Sequence, residues 1–305
     1  MWQTSRSRAA WPLCSDRIYF RRPQAIMPSS AKQISKSENT STSAPSVPAR
    51  KAALVKDAPV KLPLIEIFCG HSEELIKAAR DGVKTHGTRN IRESGRPLEK
   101  AVQRLFNNSM PSIYIALSGY FFHETQFVLS NQVDFMLCDT GQALRLPPSA
   151  SLDESYVGRQ CLKCLGQIKS SATPRLIKEA LKQHQDSLRH FGNAQEIPSF
   201  IIFGLKGNSN NNSKNKIKLA LEVYRGPLPT IIACLEEGVI FYSDDSSVSL
   251  QPYGCQKIKH PAEVRGAALV FLYCILFERM RIEPSPPFIK SLKSLLMKYP
   301  FSPES

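Results

Sequence analysis

The chain has 305 residues, 42% of them hydrophobic, and a formal net charge of +14, which is apolar content enough for a sizeable core. No run of about 18 uncharged apolar residues occurs, which excludes a membrane-spanning helix. The eight cysteines (14, 69, 138, 161, 164, 234, 255 and 274) lie scattered, mostly inside apolar runs, which excludes a regular secreted disulfide framework and points to a reducing interior. The charge is uneven, with 11 Lys/Arg against 3 Asp/Glu in residues 1–61. The rest is only mildly basic, which permits contact with RNA or DNA phosphates without demanding it.

In chain order, residues 1–27 carry Arg6, Arg8, Arg17, Arg21 and Arg22 against Asp16, with hydroxyls and large apolar residues between them. That composition predicts a mitochondrial presequence and a matrix protein, because positive charge suits import across a negative-inside potential. Residues 28–61 are Ser-, Thr-, Ala-, Pro- and Lys-rich with few large apolar side chains, too little to offset the entropy of ordering, so a disordered linker is expected. From residue 62 to 305 the alternation of strand-like and helix-like segments predicts a single globular α/β or α+β domain, a mixed sheet with helices packed on it.

Residues 62–68 read as a strand, and residues 72–83 as a helix capped by Ser72. The basic stretch 84–95 offers Arg89 and Arg92 to phosphates. Pro97 opens a helix whose buried face is Leu98, Val102, Leu105 and Phe106. Residues 112–122 form a buried strand, and 125–129 with 133–138 a hairpin. Asp139-Thr140-Gly141 is a turn signal. A helix fits 174–190, with Thr173 as cap and Ile177, Leu181, His184 and Leu188 buried. Strand 200–205 then meets an Asn/Ser loop, with Lys206, Lys214 and Lys216 as further phosphate-contacting candidates. Next come a strand at 217–224, a helix at 230–236 stopped by Gly238, and a strand at 239–242. A buried helix at 262–280 and an amphipathic one at 288–299 close the chain.

Two constellations carry chemistry. Cys161-Leu162-Lys163-Cys164 is a C-x2-C knuckle, and with His184 and His190 it supplies two thiolates and two imidazoles, a tetrahedral zinc set. The competing reading of His184 is a buried, hydrogen-bonded side chain on its helix's apolar stripe. The second constellation is an order: helix with Glu99, strand at 112, strand with Asp134 in VDFML, strand with Glu222 in LALEVYRG, helix at 230, strand at 239. Over residues 97–243 this resembles the PD-(D/E)XK nuclease family. The resemblance implies Glu99, Asp134 and Glu222 as a Mg²⁺-dependent catalytic set, with an Asp and a Glu on neighbouring strands holding the metal and a Lys two residues after the Glu steadying the attacking water. Tyr224 stands at the position of that Lys, which implies a degenerate core. The function expected is a mitochondrial, non-catalytic protein associated with RNA or DNA. A metal-dependent nuclease and a protein-only assembly factor are the alternatives.

Overall fold

The computed structural model describes residues 63–86, 91–123, 125, 128–142, 145–146, 154–191, 197–207, 212–242, 250–254, 260–280, 287–296 and 302–303. All lie in one compact unit, Pro59–Ser305. The presequence and linker expectations, and the loop around Arg89, fall outside the described residues.

The helices are α1 (Leu64–His86), α2 (Ile91–Ser109), α3 (Pro174–Phe191), α4 (Ser213–Val223), α5 (Pro261–Arg279) and α6 (Pro287–Leu296). The strands are β1 (Tyr114–Phe122), β2 (Val133–Asp139), β3 (Arg145–Leu146), β4 (Ser155–Gly158), β5 (Leu162–Ser171), β6 (Ser199–Leu205), β7 (Ile231–Cys234), β8 (Val239–Tyr242), β9 (Gln251–Gly254) and β10 (Ser302–Pro303). They form one sheet in the order β10-β9-β8-β7-β6-β5-β2-β1-β4-β3. Strands β1, β2 and β5 are antiparallel neighbours, whereas β5, β6 and β7 run parallel. The expected mixed sheet under packed helices is therefore present.

The parallel centre explains its own sequence. Every residue of β6 from Ser199 to Gly204 is buried, because helices cover both faces and leave no solvent side to call for alternation. On one face Phe200 and Ile202 meet α1, α2 and α5; on the other Ile201 and Phe203 meet α3 and α4. The first layer centres on stacked and edge-on rings, Phe106 lying 4.8 Å from both Phe135 and Tyr273. Such ring pairs contribute about 0.5–1.5 kcal/mol each beyond area burial. Gly166 on β5 is required by that packing, since a Cβ there would lie 2.3 Å from the Phe200 ring.

Several elements differ from the sequence reading. The expected strand at 62–68 is not formed, because α1 runs unbroken from Leu64, burying Phe68, Leu75, Ile76 and Ala79 on one helical stripe. Ser72 is therefore inside the helix, where its hydroxyl donates to the Cys69 carbonyl at 2.8 Å. Helix α2 begins at Ile91, with Pro97 inside it. The hairpin partner of β2 is β1, and residue 129 forms only an isolated bridge to Phe122.

The largest difference falls in the stretch 213–236. Residues 217–223 lie in α4, not a strand; its cap is Asn212, whose side chain accepts from the Asn215 N–H at 3.0 Å. Ile-Lys-Leu-Ala-Leu-Glu-Val alternates in hydropathy, but the buried pair Ile217 and Ala220 is spaced three apart, and Leu219 and Val223 are exposed. Residues 231–234 are conversely not a helix but β7, a fully buried strand. Helix α3 is as expected, with the Thr173 hydroxyl accepting from the Leu176 N–H at 3.3 Å.

Candidate nucleic-acid interface

Strand β5 leaves the sheet's middle and runs directly into α3, so α2, β2, β5 and the start of α3 frame one cleft of about 1190 Å³. Asp134 of β2 sits in its wall, on the strand face it shares with Met136 and Cys138. Its Oδ2 accepts from the Ile168 N–H at 2.9 Å and from the Lys169 ammonium at 3.1 Å. Both side chains of the pair are nearly buried, 11% exposed for Lys169 and 14% for Asp134. Gln103 of α2 donates to the Asp134 carbonyl at 3.2 Å and ties that helix to the strand. Glu99, one turn earlier on α2, lines the same cleft.

With the inserted β3 and β4 set aside, α2, β1, β2, β5, α3 and β6 follow one another as helix, three antiparallel strands, helix, and a strand parallel to the third. The resemblance predicts that order but lays its second half on residues 217–243. Among solved structures the chain is similar to NucC of P. aeruginosa ATCC27853 in a cAAA-bound form, with 13% identity and a TM-score of 0.56 over 78% of this chain and 100% of that one. It is also similar to cAAA-bound NucC of E. coli MS115-1, with 13% identity and a TM-score of 0.58 over 78% of this chain and 98% of that one. The apo form of the E. coli protein aligns at 14% identity and a TM-score of 0.51, over 77% of this chain and 100% of the other. These likenesses fit a fold that resembles the PD-(D/E)XK nuclease-like fold. No family model and no curated protein matches the chain.

Strand β2 lies between β1 and β5; if the carboxylate-x-lysine pattern of the resemblance is laid on β5, the residues at its two positions are Gln167 and Lys169. The lysine position is thus filled, and the altered position is the carboxylate. Tyr224 and Glu222 are elsewhere. Glu222 is exposed on α4 and does not line the cleft. Tyr224 caps that helix and donates to the Leu181 and Pro227 carbonyls at 3.1 and 3.2 Å, its hydroxyl pushed up to about 12 by burial. The sequence signal for Gln167-Ile168-Lys169 is an apolar strand closed by a polar pair just ahead of the well-marked helix α3, but the cysteine knuckle draws that segment into a metal reading.

A divalent ion does not fit the donors present. Among the described residues no three His, Cys, Asp or Glu cluster to hold one, and the Asp134 carboxylate is engaged by Lys169. The zinc set is likewise not assembled. Cys161 packs in the cluster around Met136 and Val157, whereas Cys164 packs on the opposite face with Phe135 and Ile168. Burial pushes the Cys164 thiol far up, away from the thiolate a metal needs. His190 is exposed at the end of α3, and His184 shares a 2.8 Å hydrogen bond with the Ser199 hydroxyl.

His184 is instead a pH-sensitive core residue. Burial lowers its imidazole to about 4, against a partial opposing pull from the Pro227 carbonyl. Because the folded value lies below the unfolded one, the unfolded chain takes the proton first as pH falls. Stability from this residue is therefore complete above about pH 6.5, shrinks down to about pH 4, and changes little below that, for a total loss of about 3 kcal/mol. Urea unfolding of wild type and His184→Gln across pH 4 to 7 checks this. The substitution should remove most of that dependence, and an unchanged slope would show that other groups set it.

The basic side of the cleft comes from α2. Arg96, Lys100 and Arg104 are exposed, line the cleft and recur every fourth residue, so they form one helical stripe. Arg175, exposed at the start of α3, lines the cleft as well. Of the cations singled out from sequence, Lys206 is exposed beyond β6 and Lys214 half-buried on α4. Lys216 is only 7% exposed and its ammonium donates to the Lys206 carbonyl at 2.9 Å. That corrects its assignment as a phosphate contact: the charge is engaged in closing a loop. None of these three lysines lines the cleft. Arg92 belongs to the first turn of α2.

Proposed function

We propose that this protein binds nucleic acid in the α2–α3 cleft and does not hydrolyse it. The observation that carries the reading is the Arg96, Lys100 and Arg104 stripe running beside the Asp134–Lys169 pair in a PD-(D/E)XK-like fold. Cations at four-residue spacing follow a phosphodiester backbone without reading its sequence. Gln167 in place of the second carboxylate withdraws one negative charge from the set that would hold a metal ion for hydrolysis. The arginine-rich first 27 residues support action in the mitochondrial matrix, for instance in organellar gene expression or genome maintenance. A fluorescent fusion lacking residues 1–60 that still enters mitochondria would remove that part.

A second reading keeps one observation in its favour: Lys169 stands beside Asp134 as in a working nuclease. Single-stranded RNA and duplex DNA, titrated with the full-length protein over a salt series and followed on gels with and without Mg²⁺, separate the cases. A steep salt dependence with intact substrate supports binding alone. Cleavage abolished by Asp134→Asn establishes the enzyme, and no binding at low salt leaves a protein-only assembly factor.

A further inference from the structure

Gln167 is 2% exposed, and its side-chain carbonyl Oε1 has no hydrogen-bond partner. Buried acceptors are rarely left so. The β2–β5 register pairs Phe135 with Gly166 and Met136 with Leu165, so its continuation sets Gln167 opposite Asp134. The two-residue period of a strand places Gln167 on the same face as Lys169. Register and strand period thus set three groups on one face of β2 and β5: one carboxylate, one neutral amide oxygen, and one ammonium 3.1 Å from that carboxylate. Their charges cancel. A divalent cation entering here would find the Asp134 carboxylate already neutralised and an ammonium beside it, a strongly unfavourable exchange in a nearly buried setting.

We propose that the Lys169 ammonium is the resident cation of this cleft, in the place where a carboxylate pair would hold a divalent metal, and that Gln167 is the residue that sets this choice. The amide keeps an oxygen at the ligand position but withdraws its charge, and ligand charge is what tunes the affinity of hard cations. A nucleic-acid phosphate bound in the cleft is then met by an ammonium, a point charge that needs no metal bridge. The inference rests on the proposed function only for that last step, and its test is independent of it.

The probe is Mn²⁺, titrated into the full-length protein without nucleic acid, with free ion read by electron paramagnetic resonance. Wild type should show no saturable binding below about 1 mM. Gln167→Glu should bind on the order of 100-fold tighter than wild type, and its Tm should rise with added Mn²⁺. Lys169→Gln removes the ammonium without adding a charge and should tighten binding about tenfold, which keeps the question open to test where Gln167→Glu fails to fold. Saturable wild-type binding at micromolar Mn²⁺ would overturn the proposal, as would both variants binding no better than wild type. If nucleic acid fails to bind while these shifts appear, the cation assignment stands and the function reading falls.

Discussion

Replacing Arg96, Lys100 and Arg104 together by alanine should weaken nucleic-acid binding roughly a hundredfold at low salt and reduce the salt slope by about 3, near one for each phosphate left without its cation. All three side chains are exposed on α2, so the fold itself should change little. A structural role would show the opposite pattern, a lowered Tm with the slope unchanged. Alanine at Lys206 and Lys214, which lie outside the cleft, should leave the slope within error of wild type. An equal loss from both sets would place binding on the general surface charge and not in the cleft.

Asp134→Ala should cost the fold about 3 kcal/mol. The carboxylate answers two donors, the Ile168 N–H at 2.9 Å and the Lys169 ammonium at 3.1 Å. Its removal leaves the N–H unpaired and strands an ammonium that is 11% exposed, which is unfavourable because neither group recovers full hydration. Asp134→Asn keeps an acceptor for the N–H and should cost less. Combining Asp134→Ala with Lys169→Met removes both charges and should restore part of the loss, since buried pairs are costly chiefly when broken. Urea unfolding of the four proteins reads this directly. A single Asp134→Ala change within about 0.5 kcal/mol of wild type would mean that solvent screens the pair.

The parts of the fold legible in the sequence were those whose signals are local. Helix α3 announces itself through Thr173, Pro174 and the stripe of Ile177, Leu181 and Leu188, all of which the structure places as read. Helix α5 is apolar on nearly every side and lies buried from Gly266 to Phe277 save for Phe271. The strands holding Asp134 and Phe200 were legible for the same reason, as was the opening helix and strand pair of the PD-(D/E)XK-like order, but its third strand, β5, went unread and the order's second half was laid on α4 and β7. Hydropathy could not decide residues 217–223 and 231–234. A short apolar run looks the same in a buried strand and in a helix covered on one side. Only the layers settle it: β7 fills a slot between β6 and β8, with core on both faces, and α4 lies over β6 and β7 with Leu219 and Val223 turned to water. The site followed the same division. Asp134 and Glu99 were identifiable as acids, and the structure places both in one cleft, but which residues of the neighbouring strands stand against Asp134 is a matter of register, and register is fixed by packing far from the motif. Through the pairing of Phe135 with Gly166 it brings Lys169 to Asp134 and leaves Glu222 on a helix outside the cleft.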